Sequence, residues 1–179
     1  MRAAALGGLA ALTVLTAAQA GPGDPPKFDP VGYEAQNVLY DRNHATPEDG
    51  PRSLGYIRNR IKAMEESGDV EHSNILVVAH GNDLLAFSRL DSEAFSDAYE
   101  KLRELADMGV QFHVCRNAAR GRGYGFEDFY DVVTVVPAAV IDIEKYGNMG
   151  YRYMYPALFS RMMGEDDIIP KHPEVRMDE

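Results

Sequence analysis

The chain has 179 residues with 18 basic and 28 acidic side chains, which gives a net charge of −10 at neutral pH. This acidic balance argues against nucleic acid or an anionic membrane surface as a partner, because phosphate groups attract basic surfaces. The single cysteine excludes an internal disulfide, so we expect the fold to depend on its core and on association into a homo-oligomer.

The first 20 residues predict a secretory signal peptide. Arg2 provides a positive start, residues 3–17 are apolar or small, and Ala18-Gln19-Ala20 has the A-x-A form of a cleavage site. The apolar run is shorter than the ~20 residues that a membrane span needs. We therefore expect cleavage after Ala20 and a periplasmic or secreted protein without a membrane span.

Composition divides the remaining chain into three parts. Residues 21–34 are rich in proline and glycine, which predicts a flexible linker, and residues 161–179 form an acidic tail that we expect to be mobile. Residues 35–160 have the size of one domain with its own core.

Strand and helix patterns alternate through this domain. Apolar or alternating runs predict five strands, at residues 37–41, 74–79, 110–115, 132–136 and 151–155. Apolar spacings of three and four predict helices at residues 53–67, 92–108 and 138–146. The second and fourth strands are expected to be buried on both faces and the fifth to be an edge strand, while Val140, Ile141 and Ile143 are expected to face the core. The alternation is typical of an α/β protein with a mostly parallel sheet of about five strands, whose order stays open.

The single cysteine is the last residue of the third strand pattern. Residues 110–114 lead into Cys115, and a small-residue segment with Arg116, Asn117 and Arg120 comes next. A thiol between a strand end and a helix start meets free N–H groups and partial positive charge, which favour a thiolate. Cys115 is therefore the candidate nucleophile, with the other three as supporting or substrate-binding residues. The alternative is an inert cysteine that packs as a small hydrophobe.

Two histidines belong to the same region. His80 and Asn82 follow the strand at 74–79, and ligand sites of open parallel sheets form beyond the carboxyl ends of strands. His80 is thus a candidate acid, base or thiolate partner, and Asn82 a supporting residue. The alternative is a tight turn that needs Gly81. His113 shares a strand face with Cys115 and is expected to be a hydrogen-bonded histidine beneath the site.

The sequence contains no cofactor or metal motif beside these residues. The glycine-rich segment 121–125 does not follow a strand, as a dinucleotide-binding motif must, and is predicted to be a loop. The five histidines are scattered, and no cysteine or histidine pair has metal-ligand spacing. We therefore expect no metal and no organic cofactor.

The ordered segments resemble the DsrE/DsrF-like family. The resemblance covers about residues 37–156 and runs through VLYD (38–41), LVVAHG (76–81), GVQFHVC (109–115), VVPA (135–138) and GY (150–151). Its most specific part is Cys115 with the Ala-Ala-Arg-Gly segment that ends at Gly121. The resemblance implies a three-layer α/β/α fold, usually an oligomer, and a cysteine at position 115 that receives sulfur as a persulfide and passes it on.

These observations lead to one interpretation and one alternative. The interpretation is an exported sulfur carrier or sulfurtransferase-like protein that uses a persulfide on Cys115, with a sulfane-sulfur donor and an acceptor thiol as partners. The alternative is a non-enzymatic oligomeric module that binds a small anion or a partner protein, in which Cys115 is structural. The reactivity of the thiol separates the two, and with it whether the protein is an enzyme.

Overall fold

Five parallel strands form one sheet in the described part of a computed structural model, which covers Gly23 and residues 25–29, 32–90, 97–158 and 170–171. The strands are β1 Asn37–Arg42, β2 Asn74–Ala79, β3 Gln111–Cys115, β4 Val133–Val136 and β5 Arg152–Met154. Their order is β4-β3-β2-β1-β5, and all neighbouring pairs are parallel. The predicted signal peptide and most of the predicted tail lie outside the described residues, so both stay predictions.

Helices lie on both faces of this sheet. The α-helices among the described residues are α1 Asp49–Ser67, α2 Ala98–Asp107, α3 Arg116–Arg120 and α4 Ala139–Asn148, and the 3₁₀ helices are Gly81–Phe87 and Phe126–Asp128. Side chains of α1 and α2 pack in one apolar cluster on one face, and α4 packs against the other face. The predicted three-layer α/β/α fold is therefore confirmed. None of the described helices combines the length and apolar character required to cross a membrane.

Alternation along the strands divides the core into two clusters. Val38 and Tyr40 of β1 face α1, together with Val77 of β2, and belong to the larger cluster. Leu39 and Cys115 lie on the opposite face, where they pack with Leu76, Val78 and Ala139 in the smaller cluster. Because successive strand residues point to opposite faces, the position of Cys115 in β3 puts its thiol on the face that α4 covers.

Helix α1 begins before the apolar pattern at Ser53, within residues 46–49, where the sequence indicates a turn or an earlier helix start. It starts at Asp49 rather than at Ser53, and Pro51 therefore lies in its first turn. Proline is tolerated there because the first backbone N–H groups of a helix have no intrahelical acceptor. At the other end the helix ends at Ser67, as predicted, and the N–H of Gly68 donates to the carbonyl oxygen of Met64 at 2.9 Å.

The predicted inward face of α4 is wrong for two residues. Val140 and Ile141 are 72% and 65% exposed, whereas Ala139 and Asp142 are buried and Ile143 is half-buried. A hydrogen bond from His113 to Asp142 holds the helix in this phase. A polar contact, which an apolar pattern does not reveal, therefore decides which side of α4 faces the sheet.

The two outer strands differ in how well they were predicted. β5 lies at one edge of the sheet, as its alternating pattern indicates. The prediction that the strand at 132–136 is buried on both faces is wrong, because β4 is the opposite edge strand and Thr134 is exposed.

Of the helix predicted at 92–108, only Ala98–Asp107 is seen, since residues 91–96 lie outside the described residues. The glycine-rich segment 121–125 forms the predicted loop after α3.

Candidate functional site

Cys115 is the last residue of β3 and immediately precedes α3. Its backbone is extended, with φ −78° and ψ 110°, and its sulfur accepts a hydrogen bond from the N–H of Ala118 at 3.4 Å. The thiol therefore caps the first turn of α3, where a backbone N–H would otherwise lack a partner. This is the strand-to-helix junction that the sequence predicts.

The start of a second helix packs beside the same thiol. Ala139, the first residue of α4, belongs to the buried cluster of Cys115. The N–H of Asn117 donates to the carbonyl oxygen of Pro137 at 3.3 Å, which joins the start of α3 to the turn before α4. Cys115 is only 6% exposed. The sheet and two helix starts thus enclose the sulfur.

Three predicted supporting residues follow the thiol on α3. Arg116, Asn117 and Arg120 are exposed, and within the described ranges their side chains form no hydrogen bond or ion pair. Their polar groups therefore make no stabilising contact with the other described residues. Their role in binding an anionic substrate stays a prediction.

His80 follows β2 at the same edge of the sheet. The last paired residues of β2 and β3 are Ala79 and Val114, so His80 and Cys115 are the next residues on neighbouring strands. Val78 and His113 are also paired, which means that side chains two residues further along leave from the same face. The register thus places His80 and Cys115 at adjacent strand ends on one face, and no hydrogen bond joins these two described residues.

A carboxylate and a phenol hold the ring of His80. Its Nε2 lies 2.9 Å from Oδ1 of Asp41, the fifth residue of β1, and the hydroxyl of Tyr153 on β5 donates to Oδ2 of Asp41 at 2.6 Å. Since an ionised carboxylate only accepts hydrogen bonds, the proton of a neutral His80 ring resides on Nε2 and Nδ1 keeps its lone pair. The sequence placed Asp41 at a strand end but indicated no role for Tyr153.

The electrostatics of this cluster follow from its hydrogen bonds. Burial raises the pKa of Asp41, but hydrogen bonds from His80 and Tyr153 outweigh it and bring the pKa below the ordinary 3.8. The hydrogen bond to Asp41, assisted by burial, raises the pKa of Tyr153 from 10.0 to about 12. Asp41 is therefore ionised and Tyr153 protonated at neutral pH.

The turn after His80 depends on Gly81, as the alternative interpretation of this segment required. Gly81 has φ +61°, and a Cβ atom there would lie 1.8 Å from Oδ1 of Asn43. Asn82 donates from Nδ2 to the carbonyl oxygens of His44 at 3.2 Å and Ala45 at 2.8 Å. The amide of Asn82 thus holds the loop that follows β1, which is a structural contribution to the site.

His113 is a hydrogen-bonded histidine beneath the site, as expected. Its Nδ1 lies 2.7 Å from Oδ2 of Asp142, and its ring meets the edge of Tyr146 at a centroid distance of 5.7 Å. His113 is buried, two residues before Cys115 on the same strand face. Its contacts explain it as part of the packing between β3 and α4.

A buried charged cluster on the opposite face of β1 was missed by sequence reasoning. Nε of Arg42 donates to Oδ2 of Asp83 at 3.2 Å, and its Nη2 donates to the carbonyl oxygen of Gly50. Nδ1 of His44 lies 2.8 Å from the same Asp83 oxygen, while Nη1 of Arg42 is buried without a hydrogen-bond partner among the described residues. The cluster anchors the loop after β1 and lies on the α1 side of the sheet, away from Cys115.

The described residues also show what the site lacks. Within them, no group of three or more histidine, cysteine, aspartate or glutamate side chains is arranged to hold a metal ion. The described residues at this edge of the sheet include one thiol, one oriented imidazole and exposed guanidinium groups.

The protein is an open parallel α/β protein with a cysteine at the carboxyl end of an inner strand. The family model described as the DsrE/DsrF-like family matches residues 46–156, and the chain belongs to this family. A search of curated proteins finds no match.

Among solved structures, the chain is similar to a protein of unknown function, MTH1491, from Methanobacterium thermoautotrophicum. The sequences are 24% identical, the match covers 69% of this chain and 99% of that chain, and the TM-score is 0.56. This similarity supports the fold alone.

Proposed function

We propose that the protein receives sulfane sulfur on Cys115 and passes it to an acceptor thiol. The DsrE/DsrF-like family is associated with sulfur relay. The observation that carries the proposal is the position of the only cysteine: it ends an inner strand at the carboxyl edge of the sheet, next to His80. Functional groups of open α/β proteins collect at this edge.

The loading step needs only a thiolate and a donor that contains sulfane sulfur. With thiosulfate, the Cys115 thiolate attacks the outer sulfur, a new S–S bond forms at Sγ, and the S–S bond of thiosulfate breaks. The electron pair leaves with sulfite, so the products are a Cys115 persulfide anion and SO₃²⁻, with the same total charge as the reactants. The hydrogen bond from Ala118 to Sγ supports the anionic form of the sulfur.

The enclosure of the thiol bears on the donor. Since Cys115 is 6% exposed, a small inorganic donor reaches Sγ with less rearrangement than a bulky one. Exposed Arg116 and Arg120 lie on the adjoining helix and supply positive charge for an anionic donor. We therefore expect thiosulfate or polysulfide to load the protein.

The same enclosure favours a second candidate function. If Cys115 serves only as a packing residue in its cluster with Leu39 and Ala139, the protein is an oligomeric binding module for a small anion or a partner protein. In that case the native thiol reacts with neither an alkylating reagent nor a sulfur donor.

Mass spectrometry of the intact protein tests the two candidates. Exposure to polysulfide or thiosulfate should add about 32 Da per sulfur atom to the wild-type chain, because thiolate attack places sulfur on the side chain. Cys115→Ser, which is close in size, should gain no mass, and sulfite, which holds no sulfane sulfur, should add none to either protein. A native wild-type protein that gains no mass from any donor would leave only the binding module.

Export completes the proposal. Arg2, the apolar run and the A-x-A sequence before Gly21 support a secretory leader and a periplasmic or secreted mature protein. Sequencing of the protein recovered from its native host should begin at Gly21. A native protein that keeps Met1 would contradict this part of the proposal.

A further inference from the structure

We propose that His80 is the base that removes the proton from the acceptor thiol when sulfur leaves Cys115, and that Asp41 and Tyr153 position its ring. The inference rests on the proposed function and concerns its second half, the discharge of the persulfide. It assigns His80 to the acceptor and not to the Cys115 thiol itself.

The spacing of the two side chains supports this assignment. His80 and Cys115 follow the last paired residues of two adjacent strands, and neighbouring strands lie ~4.8 Å apart. Their side chains leave from the same face, and no direct hydrogen bond joins them. The proposal places the outer sulfur of the persulfide and the incoming sulfur atom between these two side chains. A base for Cys115 itself must come within hydrogen-bonding distance of Sγ, whereas a base for the acceptor needs to reach only the incoming thiol.

The hydrogen bond of the His80 ring to Asp41 uses Nε2 and leaves Nδ1 able to accept a proton. Nε2 is engaged by Asp41 at 2.9 Å, and Nδ1 has no hydrogen-bond partner within the described ranges. The His80 side chain is 25% exposed, whereas Cys115 is 6% exposed, so the imidazole is the more accessible of the two groups. An incoming molecule therefore reaches the imidazole more readily than the thiol, and the described residues do not engage the lone pair of Nδ1.

The neighbouring charges are consistent with a base at this position. Asp41 on β1 is the acidic group in contact with the ring, and Tyr153 on β5 acts through Asp41. On the element that follows His80, the carboxylate of Asp83 is committed to Arg42 and His44 on the other face. The Asp41 carboxylate therefore stabilises the imidazolium that forms when His80 accepts a proton.

The discharge step balances with one thiol acceptor and no oxidant. The acceptor R–SH gives its proton to Nδ1, and its sulfur attacks the outer sulfur of the Cys115 persulfide anion. The bond between Sγ and the outer sulfur breaks, its electron pair goes to Sγ, and His80 releases the proton to solvent. The products are R–S–S⁻, the Cys115 thiolate and one proton, with a net charge of −1 on each side of the reaction.

A two-step assay separates this role from the loading reaction. The intact mass after thiosulfate or polysulfide measures loading, and the loss of the added ~32 Da after addition of a simple alkyl thiol measures discharge. We expect His80→Asn to load within about twofold of the wild type but to discharge at least roughly tenfold more slowly, since general base catalysis contributes about 10²–10⁴. His72→Asn is the matched control, because His72 pairs with Asp69 at 2.9 Å on the exposed surface.

The acidity of the acceptor provides the decisive comparison. A thiol that is already ionised at the assay pH needs no base, so the discharge defect of His80→Asn should shrink with such an acceptor. Asp41→Asn should change the pH dependence of discharge, because it removes the charge that stabilises the imidazolium. If Asp41 had a purely structural role, Asp41→Asn would lower the midpoint of unfolding and leave the pH dependence of discharge unchanged.

Two results would overturn the inference, and they differ. If the wild type loads and His80→Asn discharges at the wild-type rate with both acceptors, this inference fails while the proposed function stands. If the wild type takes up no sulfur, the proposed function fails and the inference fails with it. His80→Gln is the second variant, should His80→Asn not fold.

Discussion

Nε2 of His44 donates to the carbonyl oxygen of Pro156 at 3.0 Å, although the two residues are 112 positions apart in the chain. The ring of His44 also stacks on Tyr155 at 6.3 Å, and the hydroxyl of Tyr155 donates to the carbonyl oxygen of Asn43 at 2.8 Å. These contacts tie the loop after β1 to the segment after β5. The proposed acid–base cluster lies just before both segments, since Asp41 and Tyr153 belong to those two strands.

Asp83 should be the most sensitive position for stability in this region. It is fully buried and accepts hydrogen bonds from Nε of Arg42 at 3.2 Å and from the N–H of His44 at 2.9 Å. Asp83→Asn leaves the buried guanidinium without its counter-charge, and we expect a loss of about 3–5 kcal/mol in the free energy of unfolding, measured by urea denaturation.

The control for this prediction is a partly exposed ion pair. Asp49 pairs with Arg52, whose side chain is 61% exposed, and Asp49→Asn should cost no more than about 1 kcal/mol. Equal losses for the two variants would show that Arg42 finds other compensation in the folded protein.

Tyr153 should titrate later than an ordinary tyrosine. Its pKa is raised to about 12 by the hydrogen bond to Asp41, so the difference in tyrosinate absorbance between the wild type and Tyr153→Phe should develop near pH 12. Because the folded pKa lies above the unfolded value of 10.0, this hydrogen bond stabilises the fold fully below pH 10 and is lost as the pH rises to about 12. A difference signal centred near pH 10 would contradict the contact.

Lowering the pH should remove the contribution of Asp41 to stability, whereas raising the pH removes that of Tyr153. The pKa of Asp41 lies below 3.8 in the folded state, so its contribution to stability is present above pH 3.8 and is lost as the pH falls through the lower folded value. We expect the difference in unfolding midpoint between the wild type and Asp41→Asn to shrink as the pH is lowered below 3.8. A difference that stays constant down to the acid limit would show that the charge of Asp41 makes no contribution.

Two glycines with positive φ angles offer a matched pair of substitutions. Gly81 has φ +61° and a Cβ atom there would meet Asn43, whereas Gly123 has φ +79° and open space around the same atom. Gly123→Ala should cost only the backbone strain of about 1–2 kcal/mol. Gly81→Ala should cost roughly 1–3 kcal/mol more, because Asn43 must move. Thermal unfolding measures both, and equal costs would mean that Asn43 yields freely.

The edge strand β5 should take part in self-association. All three of its residues are exposed, and so are Tyr155 and the apolar side chains of Val140 and Ile141 on α4. Unpaired strand edges and exposed apolar groups favour burial against another subunit. We expect light scattering at micromolar concentration to report a homo-oligomer and Met154→Lys to weaken it. A strict monomer would contradict this prediction.

Sequence patterns predicted the elements whose cause is local. The continuous apolar run Asn74–Ala79 became β2 with the same bounds, and α1 ended just before Gly68, because strand propensity and helix termination depend mainly on neighbouring residues. The placement of Cys115 at a strand end followed for the same reason. Such features need no knowledge of the strand order.

Features that depend on distant partners were not predictable in this way. The burial of Arg42 requires Asp83, which lies 41 positions away, and the link from Tyr153 to Asp41 requires that β5 pair with β1. The exposure of Val140 follows from the contact between Asp142 of its helix and His113 on β3. Each of these depends on a strand order that a single sequence does not reveal.

The position of β1 between β2 and β5 has a consequence for how the chain folds. β1 is among the first elements in the chain, yet one of its two neighbours is residues 152–154, the last strand described. Long-range pairing of this kind closes a large loop and slows folding. One edge of β1 therefore stays unpaired until β5 and nearly the whole domain have been synthesised. Under the export proposed above, this delay would favour passage across a membrane before the sheet is complete.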